Sequence, residues 1–129
     1  MQRFTLVQQD EMDKQSNIVR GQLGENLASD FLLQHGYKII QRNFHSRFGE
    51  IDIIATKDNT LVFVEVKTRT SDRFGAPIEA VTGSKIDNIR KTGEYFSIQN
   101  PKLPKKLRIE VVSVDLSVGT PQITLIPVF

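Results

Sequence analysis

The stretch that most constrains the fold of this chain is residues 49–69, two apolar segments separated by a short polar turn. Both segments are rich in Ile and Val, and Asp58-Asn59 between them is typical of the two-residue loop of a β-hairpin. This loop fixes the pairing of the strands and places Asp52 opposite Glu65. Opposed residues share a sheet face, with Cβ atoms roughly 4.5–5.5 Å apart. The sequence therefore predicts two neighbouring carboxylates, which repel each other unless a cation lies between them.

A lysine accompanies the carboxylate pair. Lys67 lies two residues after Glu65, so it projects from the same face of the predicted strand. A Glu-x-Lys pattern on its own is more often part of a solvated face than of a functional site. With Asp52 opposite, however, the three side chains together favour a divalent-metal site beside a lysine that faces a phosphate.

A third carboxylate is predicted at the edge of an amphipathic helix from about Ser16 to Gln34. The apolar stripe of this helix comprises Ile18, Val19, Leu23, Leu27, Ala28, Phe31 and Leu32. Glu25 lies within about 20° of two members of the stripe on a helical wheel, seven residues away on either side. The Glu25 side chain therefore either extends to solvent or points into a polar pocket beside the sheet.

The remaining elements complete an α-β-β-β-α-β-β order. Tyr37–Phe44 is predicted as a strand before the hairpin, and Pro77 opens a segment that becomes a second helix and ends before Pro101. On this helix Ile86, Ile89, Gly93 and Phe96 form the buried face, and Lys85, Asp87, Lys91 and Glu94 lie towards solvent. The last two strands are Leu107–Leu116 and Gln122–Val128.

This order predicts the fold class and the domain organisation. A helix between the third and fourth strands implies a parallel crossover, and hence an α/β fold with a mixed central sheet flanked by helices. Residues 15–129 are predicted to form a single domain, and residues 1–14, which lack clear periodicity, a mobile N-terminal leader.

Composition excludes several classes of protein. The chain has no Cys, which excludes disulfides and thiolate zinc sites. It has neither a long apolar run nor the pattern of a signal peptide, so we expect a cytoplasmic protein without a membrane association. It also lacks a Walker A loop and a Gly-x-Gly-x-x-Gly motif.

Charge is distributed unevenly along the chain. Residues 37–108 carry fourteen Lys and Arg against eight Asp and Glu, whereas the segments before and after them are each net acidic. A basic zone around a carboxylate pair suits a polyanionic substrate such as nucleic acid, although a solvated positive face would give the same counts. The basic residues that bracket the hairpin are Arg42, Arg47, Lys57, Arg69, Arg73, Lys85, Arg90 and Lys91.

Several short motifs resemble the YraN-like family of small bacterial proteins. They are Gly24-Glu25, Gly36-Tyr37, Arg42-Asn43, Gly49-Glu50-Ile51-Asp52, Phe63-Val64-Glu65-Val66-Lys67-Thr68-Arg69 and Phe74-Gly75 with Glu79-Ala80-Val81-Thr82. The resemblance covers about residues 18–129. It implies a restriction-endonuclease-like fold and a distant relationship to archaeal Holliday junction resolvases. By position, it also implies that the catalytic residues are Glu25, Asp52, Glu65 and Lys67.

The resemblance and the residue types together predict a chemistry. Asp52, Glu65 and the backbone carbonyl of Val66 are the expected ligands of Mg²⁺ or Mn²⁺. Lys67 is expected to orient the attacking water, and Glu25 to complete the metal shell through a water or to accept the proton. The predicted nucleic-acid-binding residues are Arg42, Arg47, Arg69, Arg73 and Lys85.

Two functions follow from this site. The first is a metal-dependent endonuclease or Holliday-junction-resolvase-like phosphodiesterase acting on DNA, including branched or structured DNA. The second is a catalytically silent DNA-binding or scaffold protein on the same fold. The sequence leaves open an RNA substrate and a homodimeric state.

Overall fold

The fold is a mixed five-stranded sheet between two helices, seen in a computed structural model that describes residues 6–70 and 82–128, with side chains from residue 14 onwards. The elements are α1 (Leu6–Gln34), β1 (Lys38–Ser46), β2 (Gly49–Lys57), β3 (Thr60–Arg69), α2 (Gly83–Gln99), β4 (Lys106–Asp115) and β5 (Gln122–Pro127). The strand order is β1-β2-β3-β4-β5, in which only β3 and β4 pair in parallel. The predicted fold class and element order are confirmed.

The hairpin of β2 and β3 has the predicted two-residue loop. Asp58 and Asn59 both have positive φ, 50° and 58°, which Asp and Asn tolerate better than most residues. Lys57 pairs with Thr60, and the regular register continues to Ile53 opposite Val64. The ladder ends there, and Ile51 and Ile53 belong to opposite layers, so the regular alternation of β2 breaks at Asp52. The cross-strand pairing of Asp52 with Glu65 therefore stays a prediction.

The sheet is covered by a helix on each face, which explains the continuous apolar runs of β2 and β3. Alternating residues belong to different layers, so that Ile53 and Val64 pack with α1 whereas Ile54 and Phe63 pack with α2. The α1 layer also contains Ala28, Leu32, Val112 and Val114, and the α2 layer also contains Ile89, Phe96 and Ile109.

Helix α1 begins earlier than the sequence pattern predicts. Its backbone is helical from Leu6, ten residues before the predicted start at Ser16, so part of the predicted leader 1–14 belongs to the helix. Residues 8–15 carry no amphipathic pattern, but they contain no Gly or Pro and include several good helix formers. Extending an existing helix requires only one residue to be ordered for each new hydrogen bond. Residues 1–5 lie outside the described part of the chain.

The predicted apolar stripe of α1 is buried only in the C-terminal part of the helix. Ile18, Val19 and Leu23 are exposed, whereas Ala28 and Leu32 are fully buried. A helix of 29 residues is roughly 43 Å long, and a strand of ten residues spans only about 33 Å. The N-terminal part of α1 therefore extends beyond the sheet that it covers.

Helix α2 has the predicted buried face, but one residue that was predicted to face solvent, Lys85, does not. Ile89, Gly93 and Phe96 are buried, and Asp87, Lys91 and Glu94 are exposed as predicted. Lys85 is half-buried and turns towards the sheet, where it contacts Glu65. The periodicity could not predict this contact, because the partner lies on another element. Pro77, proposed to open the segment before this helix, lies outside the described residues.

Neither of the described helices is both long and apolar enough to span a membrane.

A close approach of α1 to β3 depends on Gly24. A Cβ atom at this position would overlap the side chain of Thr68, whose Cβ would lie only 3.1 Å away. Gly24 is buried, and the residue that follows it is Glu25. The absence of a side chain therefore brings the carboxylate of α1 to the end of β3.

We expect Gly24→Ala and Gly21→Ala to change stability in opposite directions. Gly24→Ala forces α1 away from Thr68 and should cost about 1–3 kcal/mol of unfolding free energy. At Gly21 a Cβ meets nothing within 4 Å, so Ala should stabilise the helix by about 0.5–1 kcal/mol. Urea denaturation of both variants checks this. Equal effects of the two substitutions would contradict a close α1–β3 contact at Gly24.

Candidate active site

Asp52, Glu65, Lys67 and the first turn of α2 meet where β3 nears its C-terminal end. The Val66 backbone N–H donates to Asp52 Oδ2 at 2.8 Å. On the neighbouring residue of β3, Glu65 Oε1 lies 2.6 Å from Lys85 Nζ and 3.6 Å from Lys67 Nζ. Three elements of the fold thus supply one cluster of charged groups.

Asp52 is held where ionisation is costly. Burial and the negative charge of Glu65 raise the pKa of Asp52 to about 7, although the hydrogen bond from Val66 opposes this rise. Glu25 and Glu50 also raise the pKa of Asp52 from further away. Lys85 also interacts with the charge of Asp52, but burial and the neighbouring carboxylates prevail and the pKa of Asp52 stays raised.

Glu65 is buried, with only 4% of its surface exposed, and it is held between two lysines. Burial and the neighbouring Lys85 ammonium lower the pKa of Lys67, and the attraction of Glu65 opposes this decrease. For Lys85 burial also acts to lower the pKa, but the hydrogen bond to Glu65 and other interactions outweigh it, so the pKa is raised. Lys85 is therefore the more firmly charged partner of Glu65.

Glu25 reaches towards this cluster from α1. Its Oε1 atom is buried and has no hydrogen-bond partner within the described part of the chain. Burial raises the pKa of Glu25, the Arg42 guanidinium lowers it, and the carboxylates of Glu50 and Glu65 raise it further. The Glu25 side chain is partly buried, and its enclosed Oε1 atom lies on the side of these charged groups.

The donor set fits a hard divalent cation bound through a few ligands. Among the described residues, no three His, Asp or Glu side chains converge closely enough to form a complete cage. Mg²⁺ does not need such a cage, because it is usually held by one or two carboxylates together with waters and substrate phosphates. Asp52 and Glu65 provide this minimum, and the unpartnered Oε1 of Glu25 can accept a hydrogen bond from a metal-bound water.

The predicted nucleic-acid-binding residues occupy different environments. Arg47 is exposed in the β1–β2 turn, with its guanidinium 4.9 Å from the centre of the Phe48 ring. Arg42 is half-buried and faces Glu25, and Arg69 is half-buried at the end of β3 opposite Asp115. Lys85 contacts Glu65. Arg73 lies outside the described residues, so its role stays a prediction.

Glu110 is a buried carboxylate outside the candidate site, and its environment differs from that of Asp52. Glu110 lies on the α1 side of β4, where Tyr37 Oη donates to Oε1 at 2.9 Å and Arg108 Nε lies 3.1 Å from the same oxygen. The bond to this carboxylate contributes, after burial, to a Tyr37 pKa of about 12. The charge of Glu110 is thus compensated within the protein, which is the usual condition of a structural buried carboxylate.

Sequence reasoning missed the role of Lys85 within this cluster. It identified Lys85 only as a basic residue in contact with substrate. Thr82 caps α2, and its Oγ1 accepts from the Lys85 backbone N–H at 3.2 Å. This cap was a detectable signal for the helix start, and it places Lys85 in the first turn. The direction towards Glu65 depends on the packing of α2 on the sheet.

Comparison with known proteins supports the family resemblance. Residues 24–114 match the Uncharacterised protein family UPF0102. A UPF0102 protein of Caldicellulosiruptor bescii is 53% identical over 95 residues, covering 73% of this chain and 80% of the relative. Those of Syntrophomonas wolfei and Geobacter metallireducens are each 46% identical, over 80% and 83% of this chain and 90% and 88% of the relatives. The chain belongs to the UPF0102 family, for which YraN-like is another name.

Proposed function

We propose that this protein is a divalent-metal-dependent endonuclease that hydrolyses phosphodiester bonds in DNA. The observation that carries the proposal is the largely buried Asp52 carboxylate, whose pKa is raised to about 7, beside Glu65 and two lysines. A purely DNA-binding protein gains nothing from two neighbouring carboxylates at its binding surface, since they repel each other and the phosphates of the ligand. The proposed location is the cytoplasm.

In the proposed reaction, each residue of the candidate site has a distinct role. Asp52 and Glu65 would hold Mg²⁺ or Mn²⁺, with the Val66 carbonyl as a further ligand. The cation would act as a Lewis acid on the phosphate and lower the pKa of a bound water. Lys67, whose own pKa is lowered by burial and by Lys85, would orient the attacking water and balance charge on the phosphoryl oxygens. Glu25 would accept a hydrogen bond or a proton from the water.

Substrate affinity would come from basic side chains around this cluster. Arg42 and Lys85 lie beside the carboxylates, whereas Arg47 lies in the β1–β2 turn and Arg69 at the end of β3. Such distributed contacts position a phosphate backbone without reading its sequence. The proposed substrates therefore include linear, branched and otherwise structured DNA.

A cleavage screen tests the proposal. Purified protein is incubated with branched, flapped, linear and single-stranded DNA, and with RNA of matched sequence, in Mg²⁺ or Mn²⁺, and Asp52→Ala serves as the control. Cleavage by wild type that Asp52→Ala abolishes supports the proposal. Tight binding of branched DNA without any cleavage would favour a scaffold protein on the same fold, and cleavage confined to RNA would correct the substrate.

Metal binding should depend on both carboxylates. We expect calorimetry to detect Mn²⁺ binding to wild type and a loss of at least about tenfold in affinity for Asp52→Asn and for Glu65→Gln, because each removes one anionic ligand. Glu94→Gln, on the exposed face of α2, is the matched control and should bind as wild type does. Unchanged binding in both site variants would contradict the assignment of the metal ligands.

A further inference from the structure

Lys85 contacts one of the two carboxylate oxygens through which Glu65 could bind a metal ion. Its Nζ lies 2.6 Å from Glu65 Oε1, a full ångström closer than Lys67 Nζ at 3.6 Å from the same atom. A carboxylate oxygen bound to Mg²⁺ lies about 2.0–2.1 Å from the ion. An ammonium 2.6 Å from the Glu65 carboxylate competes with a divalent cation for it, because the two positive charges repel each other strongly in a partly buried site.

We propose that Lys85 is an exchangeable counter-ion: it neutralises Glu65 in the metal-free protein, leaves it when metal binds, and then contacts a phosphate of the substrate. The inference rests on the proposed function, since it assumes that Glu65 is a metal ligand. Lys85 would thus couple metal binding to substrate binding. Its partner after the exchange is a phosphodiester oxygen of the nucleic acid.

The fold allows the side chain to move while its backbone stays fixed. The Thr82 cap holds the backbone N–H of Lys85, so the start of α2 need not change. The Lys85 side chain is 40% exposed, whereas that of Glu65 is only 5% exposed. The mobile partner is therefore the lysine, which has an open path to solvent, and not the carboxylate enclosed by the sheet and α2.

Lys67 is less suited to this exchange. Its side chain, on β3, is only 24% exposed, against 40% for that of Lys85. It already stands further from Glu65 Oε1 and can remain beside the metal as the expected water-orienting group. The two lysines therefore divide into a fixed and an exchanging cation.

Calorimetry with Mn²⁺ tests the exchange through a result that a simple phosphate-contacting lysine would not give. We expect Lys85→Met to bind Mn²⁺ roughly tenfold more tightly than wild type, because the competing ammonium is gone, a factor typical of one neighbouring charge acting on a carboxylate. Lys91→Met, on the exposed face of the same helix, should bind Mn²⁺ as wild type does. Lys85→Gln should also bind Mn²⁺ more tightly than wild type. Because Gln is polar but uncharged, this result would show that the loss of the charge increases the affinity.

Chemical labelling gives a second measurement on the unmodified protein. Acetylation by an N-hydroxysuccinimide ester, quantified by mass spectrometry, should increase at Lys85 when saturating Mg²⁺ is added and stay constant at Lys91. A lysine that only supports the fold would show no metal dependence at either position. Circular dichroism of Lys85→Met should match wild type, because Met is a good helix former of similar length.

The outcomes separate this inference from the proposed function. If wild type binds Mn²⁺ but Lys85→Met binds it equally or more weakly, the exchange is wrong and the metal site stands. If neither wild type nor Lys85→Met binds Mn²⁺, the metal-dependent function and the exchange are both wrong. If only Lys85→Met binds, the exchange is supported in its strongest form, in which Lys85 excludes the metal.

Discussion

Lys67→Ala should lower the rate of DNA cleavage by about 10²–10³, the usual cost of removing one electrostatic stabiliser of a transition state, while DNA affinity stays within about twofold of wild type. The separation is expected because Lys67 is one cation among many for binding, but the residue that completes the Glu-x-Lys pattern beside Glu65. The fold should survive, since Glu65 keeps its contact with Lys85 at 2.6 Å.

The comparison needs a matched variant and a binding assay without turnover. Lys91→Ala removes an exposed charge from α2 and should leave the cleavage rate unchanged. Affinities are measured in Ca²⁺ at several salt concentrations, because phosphate contacts weaken steeply as salt increases. Lys67→Arg should also cleave poorly, since a planar guanidinium does not replace a compact ammonium. A Lys67→Ala variant that cleaves as fast as wild type would show that Lys67 is only a surface charge.

The hairpin and the carboxylate pair could be predicted from the sequence because their determinants are local. The two loop residues fix the register of β2 and β3, and the register determines which side chains oppose each other. This reasoning placed Asp52 next to Glu65 without any knowledge of the remaining fold. The order of the helices and strands could also be predicted, since each element has a local pattern of apolar and turn-forming residues.

Contacts between elements that are distant in the sequence could not be predicted in this way. The sequence placed Glu25 at the edge of a helical stripe, but its direction depends on how closely Gly24 lets α1 approach Thr68. It placed Lys85 on the solvent side of α2, but the packing of that helix turns the lysine towards Glu65. The exposure of Ile18 and Val19 has a similar cause. The sequence of α1 does not determine the length of the sheet that the helix covers.

The carboxylate cluster should also make the metal-free protein less stable as the pH rises. The pKa of Asp52 is about 7 in the folded protein, against an ordinary value of 3.8. Below pH 3.8 the group is protonated in both folded and unfolded chains. Between 3.8 and 7 the folded chain retains a proton that the unfolded chain has released, so raising the pH favours unfolding. Above pH 7 the loss is complete and amounts to on the order of 4 kcal/mol.

Asp52→Asn should remove this loss, because an amide oxygen can still accept the hydrogen bond from Val66 but carries no charge. Urea denaturation in EDTA should find the variant more stable than wild type at pH 8, with a difference that shrinks by up to about 1.4 kcal/mol per pH unit as the pH falls towards 4. A difference that does not vary with pH would contradict the raised pKa. Adding Mn²⁺ at pH 8 should then stabilise wild type and leave Asp52→Asn nearly unchanged, because only a folded chain with both carboxylates binds the ion well. The charge that destabilises the metal-free fold would thus be the same charge that binds the metal.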